Sequence, residues 1–266
     1  MRRPNMVAHA VVMVAIVGFV PGAASSQILD GDEVQASIIV DSVFATADSV
    51  FVHFRVAADS ASPSSLLAVY LDTPAGGIVG APTGDELDWF TSPTWNGEQR
   101  SVWGALELIG PGDVSGPLSL RAAGFPGVVD AWLRGDYTIL SMPESDSVPS
   151  PLYPDLWTDG SVQGKTVGGV PTPVDTSAGA LLDRLATLAS DACGTLGWIT
   201  DSTTCTSIAT DIGDADTAEA ASDPTTADAE LDAVLSTLST ALGNSHASTQ
   251  GYWLLRSNIE IIQGKL

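Results

Sequence analysis

Few residues of this chain could carry chemistry. Its histidines are His9, His53 and His246 and its cysteines Cys193 and Cys205; so sparse a set leaves His/Cys zinc sites and iron–sulfur clusters without ligands. A nucleophilic serine needs a histidine oriented by an acid, and no Gly-x-Ser-x-Gly elbow is present. His53 falls on the polar side of an alternating run and His246 just before the last helical run, so neither is assigned a catalytic role. Paired carboxylates can hydrolyse glycosides, and Asp85, Glu86 and Asp88 beside Trp89 form the densest acidic cluster of the N-terminal half. Among 32 acids such a cluster arises by chance, and a sandwich of about 110 residues leaves little cleft to enclose a sugar ring. No catalytic residue and no cofactor are assigned.

Two constellations remain as binding candidates. Asp211, Asp214, Asp216 and Glu219 are a calcium candidate, because calcium takes several carboxylate oxygens and no Lys or Arg lies between Arg184 and Arg256. The run departs from the EF-hand pattern, with alanine at 218 and no turn glycine, so an acidic loop is the competing reading. Trp89, Trp95, Trp103 and Trp132 are many large rings for one small domain. Exposed in a row they would stack on sugars; buried they would be core. Cys193 and Cys205 are read as a disulfide rather than a redox pair, since they lack Cys-x-x-Cys spacing and a basic neighbour to lower a thiol pKa. The bridge would close a loop of 13 residues and add roughly 3 kcal/mol by the loop-entropy argument.

The chain has 266 residues, with 10 Lys+Arg against 32 Asp+Glu and a formal charge of −22. That balance excludes nucleic acid as a partner, since phosphates need Lys and Arg to displace their counterions. A hydrophobic fraction of 44% with 16% charged residues supplies enough apolar surface for a core and excludes a wholly disordered chain. Residues 1–26 read as a secretory signal: Arg2 and Arg3, an apolar run from Met6 to Val20, then Pro21 to Ser26 with small residues before the cut. The run is shorter than the roughly 20 residues that span a bilayer, so no membrane span is expected once it is removed. Without it, 8 bases face 32 acids, a charge of −24. Such a surface stays hydrated and self-repelling, which suits a salty medium or a cell exterior.

Between Val34 and Leu140 the hydrophobic period is two. Val50, Val52, Phe54 and Val56 point one way while Ser49, Phe51, His53 and Arg55 point the other, the pattern of a half-buried strand. Ser37 to Phe44 pairs with it as a hairpin, and further strands are expected at Leu66–Leu71, Glu86–Phe90, Arg100–Ile109, Pro117–Ala122 and Val128–Ile139. These strands over 27–142 predict an antiparallel immunoglobulin-like β-sandwich. Residues 143–174 are rich in Pro and Gly and read as a semi-rigid linker. From 175 to 266 the period turns helical, predicting a small α-helical bundle of runs at Ser177–Ala192, Ser202–Ile212, Asp223–Gly243 and Ser248–Gly264. The fold class expected is α+β in two domains, sandwich first and bundle second.

Two stretches carry a resemblance. Ile109–Tyr137 (IGPGDVSGPLSLRAAGFPGVVDAWLRGDY) with Gly160–Gly168 (GSVQGKTVG) resembles a group of exported bacterial proteins of unknown activity built on an immunoglobulin-like sandwich. Leu181–Ile199 and the ending His246–Leu266 (HASTQGYWLLRSNIEIIQGKL) resemble the FIMAH helical domain appended to many secreted bacterial proteins, although the Asp-, Ala- and Thr-rich middle departs from that pattern. The resemblance implies export and a two-module build, and it transfers no catalytic residue.

The function expected is that of a non-enzymatic exported protein, secreted or at the periplasm or cell surface, that contacts an envelope or matrix component such as a polysaccharide. A carbohydrate-binding module using exposed tryptophans and a small secreted hydrolase are the alternatives. Neither partner identity nor oligomeric state is specified by the sequence. Intact mass of the exported protein tests the first step: a chain starting at Gln27 is expected, and one that retains residues 1–26 overturns it.

Overall fold

The computed structural model describes residues 29–30, 34–46, 48–74, 89–92, 100–135 and 161–266. Residues 1–26, read from the sequence as a secretory signal, lie outside them. The strands are β1 (Leu29–Asp30), β2 (Gln35–Ala45), β3 (Ser49–Ala58), β4 (Leu66–Asp72), β5 (Trp89–Ser92), β6 (Arg100–Ile109), β7 (Leu118–Ala123), β8 (Phe125–Gly135) and β9 (Ser161–Val170). They form two sheets, in the orders β1-β2-β3-β7 and β5-β6-β4-β8-β9, with every pairing antiparallel. The order β2-β3-β7 against β6-β4-β8-β9 is the A-B-E against C′-C-F-G arrangement of immunoglobulin-like sandwiches.

Alternation drives the packing. Val50, Val52, Phe54 and Val56 of β3 are buried, and Phe54 meets Trp103 of the opposite sheet edge to face with ring centroids 5.1 Å apart. Val69, Leu71, Ala131 and Leu133 complete the layer from the second sheet. Each buried aliphatic side chain of this size is worth about 1.5–3 kcal/mol relative to exposure.

The stretch 143–174, expected as a linker, contains β9, which pairs along its whole length with β8. Its glycines are a packing requirement. Gly127 and Gly168 face each other across the ladder. A Cβ on Gly127 would lie 2.5 Å from Val170, and one on Gly168 2.6 Å from Val129. The two valines sit over the two glycines on the diagonal, so composition that reads as a spacer is a fitted strand pair.

The helices are α1 (Ala178–Cys193), α2 (Ser202–Ala220), α3 (Pro224–Gly243) and α4 (Thr249–Gln263). Each begins at a side chain that accepts a hydrogen bond from a first-turn N–H: Ser177, Asp201, Asp223 and Ser248 respectively. The Cys193–Cys205 disulfide, with Cα atoms 6.0 Å apart, ties the end of α1 to the first turn of α2.

The bundle does not stand apart from the sandwich: buried residues of both make one contiguous core. α4 is buried on two sides, and its Gln250 Nε2 donates to the Ile38 carbonyl of β2, an edge that β1 leaves unpaired beyond Ala36. A second contact lies at the start of β8. Asn258 Nδ2 donates to the Leu254 carbonyl at 2.7 Å and the Pro126 carbonyl at 3.3 Å, while Arg184 donates through Nη2 to Pro126 O at 2.6 Å and through Nη1 to Asn258 Oδ1. No carboxylate pairs with Arg184 among the described residues; burial pulls its pKa down, and the Phe125 ring lies 5.8 Å from the guanidinium carbon.

Asn258→Leu keeps the volume but strips the half-buried cation of an acceptor, while the Pro126 carbonyl keeps only its bond from Arg184. A loss of about 2–4 kcal/mol is expected. Urea unfolding followed by tryptophan fluorescence and far-ultraviolet dichroism checks it: one shared transition, moved to lower urea in the variant, is the expected result.

Candidate functional site

The candidate site lies on the outward face of β2-β3-β7. The register places Phe44 opposite Phe51 and Phe51 opposite Arg121, so these three side chains form a row across the strands. Ser42, His53 and Ser119 form the adjoining row. Phe44 is 55% exposed, large for an aromatic side chain, and meets the His53 ring edge to face at 6.2 Å. The Arg121 guanidinium lies 4.8 Å over the Phe51 ring.

A β-bulge shapes this face. The register of β2 on β3 shifts between Val40 and Ser42, which leaves Asp41 as the extra residue. Its carboxylate takes Arg55 through Nη2 at 2.7 Å and Nε at 2.9 Å, a two-pronged ion pair that holds the arginine charged and its pKa above the ordinary value. The face thus offers the exposed Phe44 ring for stacking, beside the half-buried Phe51 ring under Arg121, flanked by fixed donors and acceptors for hydroxyl groups. Alternation in the sequence already turns Phe51, His53 and Arg55 outward; it gives no sign that Phe44 and Arg121 join them, because that follows from the β2–β3 register after the bulge and from the β3–β7 register.

Of the four candidate tryptophans, Trp103 and Trp132 are buried and present no face to a sugar. Trp103 is fully buried against Phe54, and Trp132 is 8% exposed in a small cluster with Ala68, Tyr70 and Val102. Of Trp89 only its place on β5 is described, and Trp95 lies outside the described residues, as do Asp85, Glu86 and Asp88.

Asp211, Asp214, Asp216 and Glu219 lie on α2, which runs on to Ala220 instead of ending near Ile212. A continuous helix points these side chains in several directions, so their oxygens do not converge as a calcium loop's would. Among the described residues no group of three or more His, Cys, Asp or Glu is placed to hold a metal ion.

His246 reaches a second concave surface of about 210 Å³ between α2 and α3, lined mostly by hydroxyl groups such as Thr204, Ser207 and Ser236. Asp201 lies close enough for His246 to contribute to lowering its carboxyl pKa, but the main cause is Thr204, whose backbone N–H and hydroxyl donate to it at 2.7 and 2.8 Å. That carboxylate is engaged in capping α2. The hydroxyl cleft has no histidine–serine hydrogen bond among the described residues.

No family model matches the sequence, and no curated protein matches it. Among solved structures the chain is similar to an uncharacterized protein from Nocardia farcinica, whose crystal structure reveals an immunoglobulin-like fold. Identity is 15% and the TM-score 0.30, with 48% of this chain and 95% of that chain covered. The strand order, not this likeness, carries the fold.

The caps give the bundle a pH dependence with a definite sign. Hydrogen bonds from Ser177, Thr204 and Thr226 hold Asp175, Asp201 and Asp223 below the ordinary carboxyl value of 3.8. Their contribution is full above that value and is lost as pH falls through the lowered folded values. Asp201→Ala should therefore be less stable than the parent at neutral pH and converge with it in strong acid, as read by thermal unfolding across pH.

Proposed function

We propose that this is a non-enzymatic exported binding protein that contacts a polysaccharide of the cell envelope or extracellular matrix through the outward face of β2-β3-β7. The observation that carries the reading is the row of Phe44, Phe51 and Arg121, Phe44 and Arg121 exposed with Phe51 half-buried between them, on one face of a chain that is otherwise overwhelmingly acidic. Phe44 is one of few large apolar side chains left in solvent among the described residues. Rings of this kind stack on the apolar faces of sugars, and the Asp41–Arg55 pair beside them is positioned to bond hydroxyls.

Charge narrows the ligand. A chain of −22 repels polyanions at long range, so a neutral glycan fits better than an acidic one. The leader-like start, the disulfide and the resemblance of the helical part to the FIMAH domain support an exported setting. No helix among the described residues is long and apolar enough to cross a membrane.

Pull-down on insoluble polysaccharides and on cell envelopes, with and without calcium, tests the reading. Retention on a neutral polysaccharide is expected, independent of calcium and weakened about tenfold in Phe44→Ala. Retention that Phe44→Ala leaves intact, or binding to none of these materials, overturns it.

A further inference from the structure

A second surface, on the opposite module, has a different chemistry. Between α1 and α2 lies a groove of about 410 Å³ lined by Leu182, Ala186, Ala209, Ile212 and Gly213, together with the Cys193–Cys205 disulfide. Asp183 and Asp216 stand along it. We propose that this groove docks a cationic amphipathic helix of a partner protein, apolar side chains on the floor and Lys or Arg side chains toward the two aspartates.

Three observations carry this. The first is Gly213. It lies in the interior of α2, where glycine costs about 1 kcal/mol relative to alanine. Some glycines are enforced by packing: a Cβ at 127 or 168 would collide with a valine, and one at 251 would lie 3.1 Å from Trp198. At 213 an added Cβ meets nothing within 4 Å, so neighbouring packing does not require glycine there. What the missing side chain does is keep the floor open.

The second is charge. From 185 to 255 the chain has no Lys or Arg, so α2 and α3 have none, and Arg184, the one cation of α1, is turned to Pro126 and Asn258. The acids along the groove are thus left without a basic side chain from these helices, and they attract a cation within a Debye length of about 8–10 Å. The same acidity disfavours a second copy of this chain as occupant, since its own surface is anionic.

The third is rigidity. The disulfide fixes the end of α1 to the start of α2, so the spacing of the groove walls is set before any partner arrives and little ordering is lost on docking. A helix laid into such a groove would present apolar anchors at one-turn intervals, the usual mode for a cleft of this shape.

Fluorescence anisotropy on the full chain tests the proposal, with a labelled amphipathic Leu/Lys peptide, its Leu/Glu counterpart and a neutral fluorescent fatty-acyl probe. The Leu/Lys peptide should bind and the other two should not. Gly213→Leu, which fills the floor without a clash, should weaken the peptide by more than roughly thirtyfold, the loss of one buried leucine-sized anchor. Its thermal unfolding should be unchanged or raised, which separates blocking from misfolding. Asp183→Asn with Asp216→Asn should weaken it by about fivefold and flatten its salt dependence. Equal binding of both peptides, preference for the acyl probe, no binding of the Leu/Lys peptide, or parental affinity in Gly213→Leu would each overturn the proposal.

Discussion

The two edge strands on one side of an immunoglobulin-like sandwich leave unpaired backbone and the rim of the apolar core facing solvent, which makes that side its weakest. Here α4 packs against β2 near the edge of one sheet and against the start of β8, next to the edge strand β9, in the other. Gln250 meets the carbonyl of Ile38 on one sheet, and Asn258 and Arg184 meet that of Pro126 on the other. One helix therefore covers both sheets, and its opposite side supplies Leu254, Leu255 and Ile259 to the shared core. Buried polar contacts of this kind are costly when incomplete, so they fix one docking geometry where apolar contact alone would tolerate several.

The rest of the molecule follows from that docking. With α4 held to the sandwich, the tight approach of Gly251 to Trp198 positions the loop after α1, and the antiparallel bridge of Ile199 with Ala247 ties that loop to the entry of α4. α1 is then fixed from two directions, by Arg184 at the sandwich and by the disulfide to α2. The outward face of β2-β3-β7 and the α1–α2 groove are left open because the bundle spends its buried contacts on the sandwich's side.

Much of this architecture is legible in the sequence, for local reasons. Period two in Val50 to Val56 and period 3.6 in Leu181 to Leu188 are signals of single elements, and Asp223 with Pro224 marks a helix start within a residue. What is not legible is relational. β9 reads as spacer because Gly164, Gly168 and Gly169 carry no strand propensity of their own; the meaning of Gly168 lies in Val129 across the ladder and that of Gly169 in Ala122 and Ala123 of β7. The burial of Trp103 depends on Phe54 of the other sheet, which periodicity within β6 cannot specify. The acidic run of α2 reads as a loop because Asp has low helix propensity, yet Ile212, Ala215 and Ala218 bury its other side. The aromatic face is half visible, through Phe51 and His53; its completion by Phe44 depends on the bulge at Asp41 and that by Arg121 on the β3–β7 register.

The contact of Gln250 with Ile38 joins residues 212 apart in the chain. It sets a timetable. β9 and α4, which complete the sandwich, both lie beyond residue 160, so the N-terminal strands must wait, incompletely covered, until the last residues are available. Such non-local closure slows folding, because the loop entropy is spent before the contact rewards it. Under the export proposed above, slowness of this kind would be an advantage: the chain would stay translocation-competent in extended form and lock only once its C-terminus had crossed.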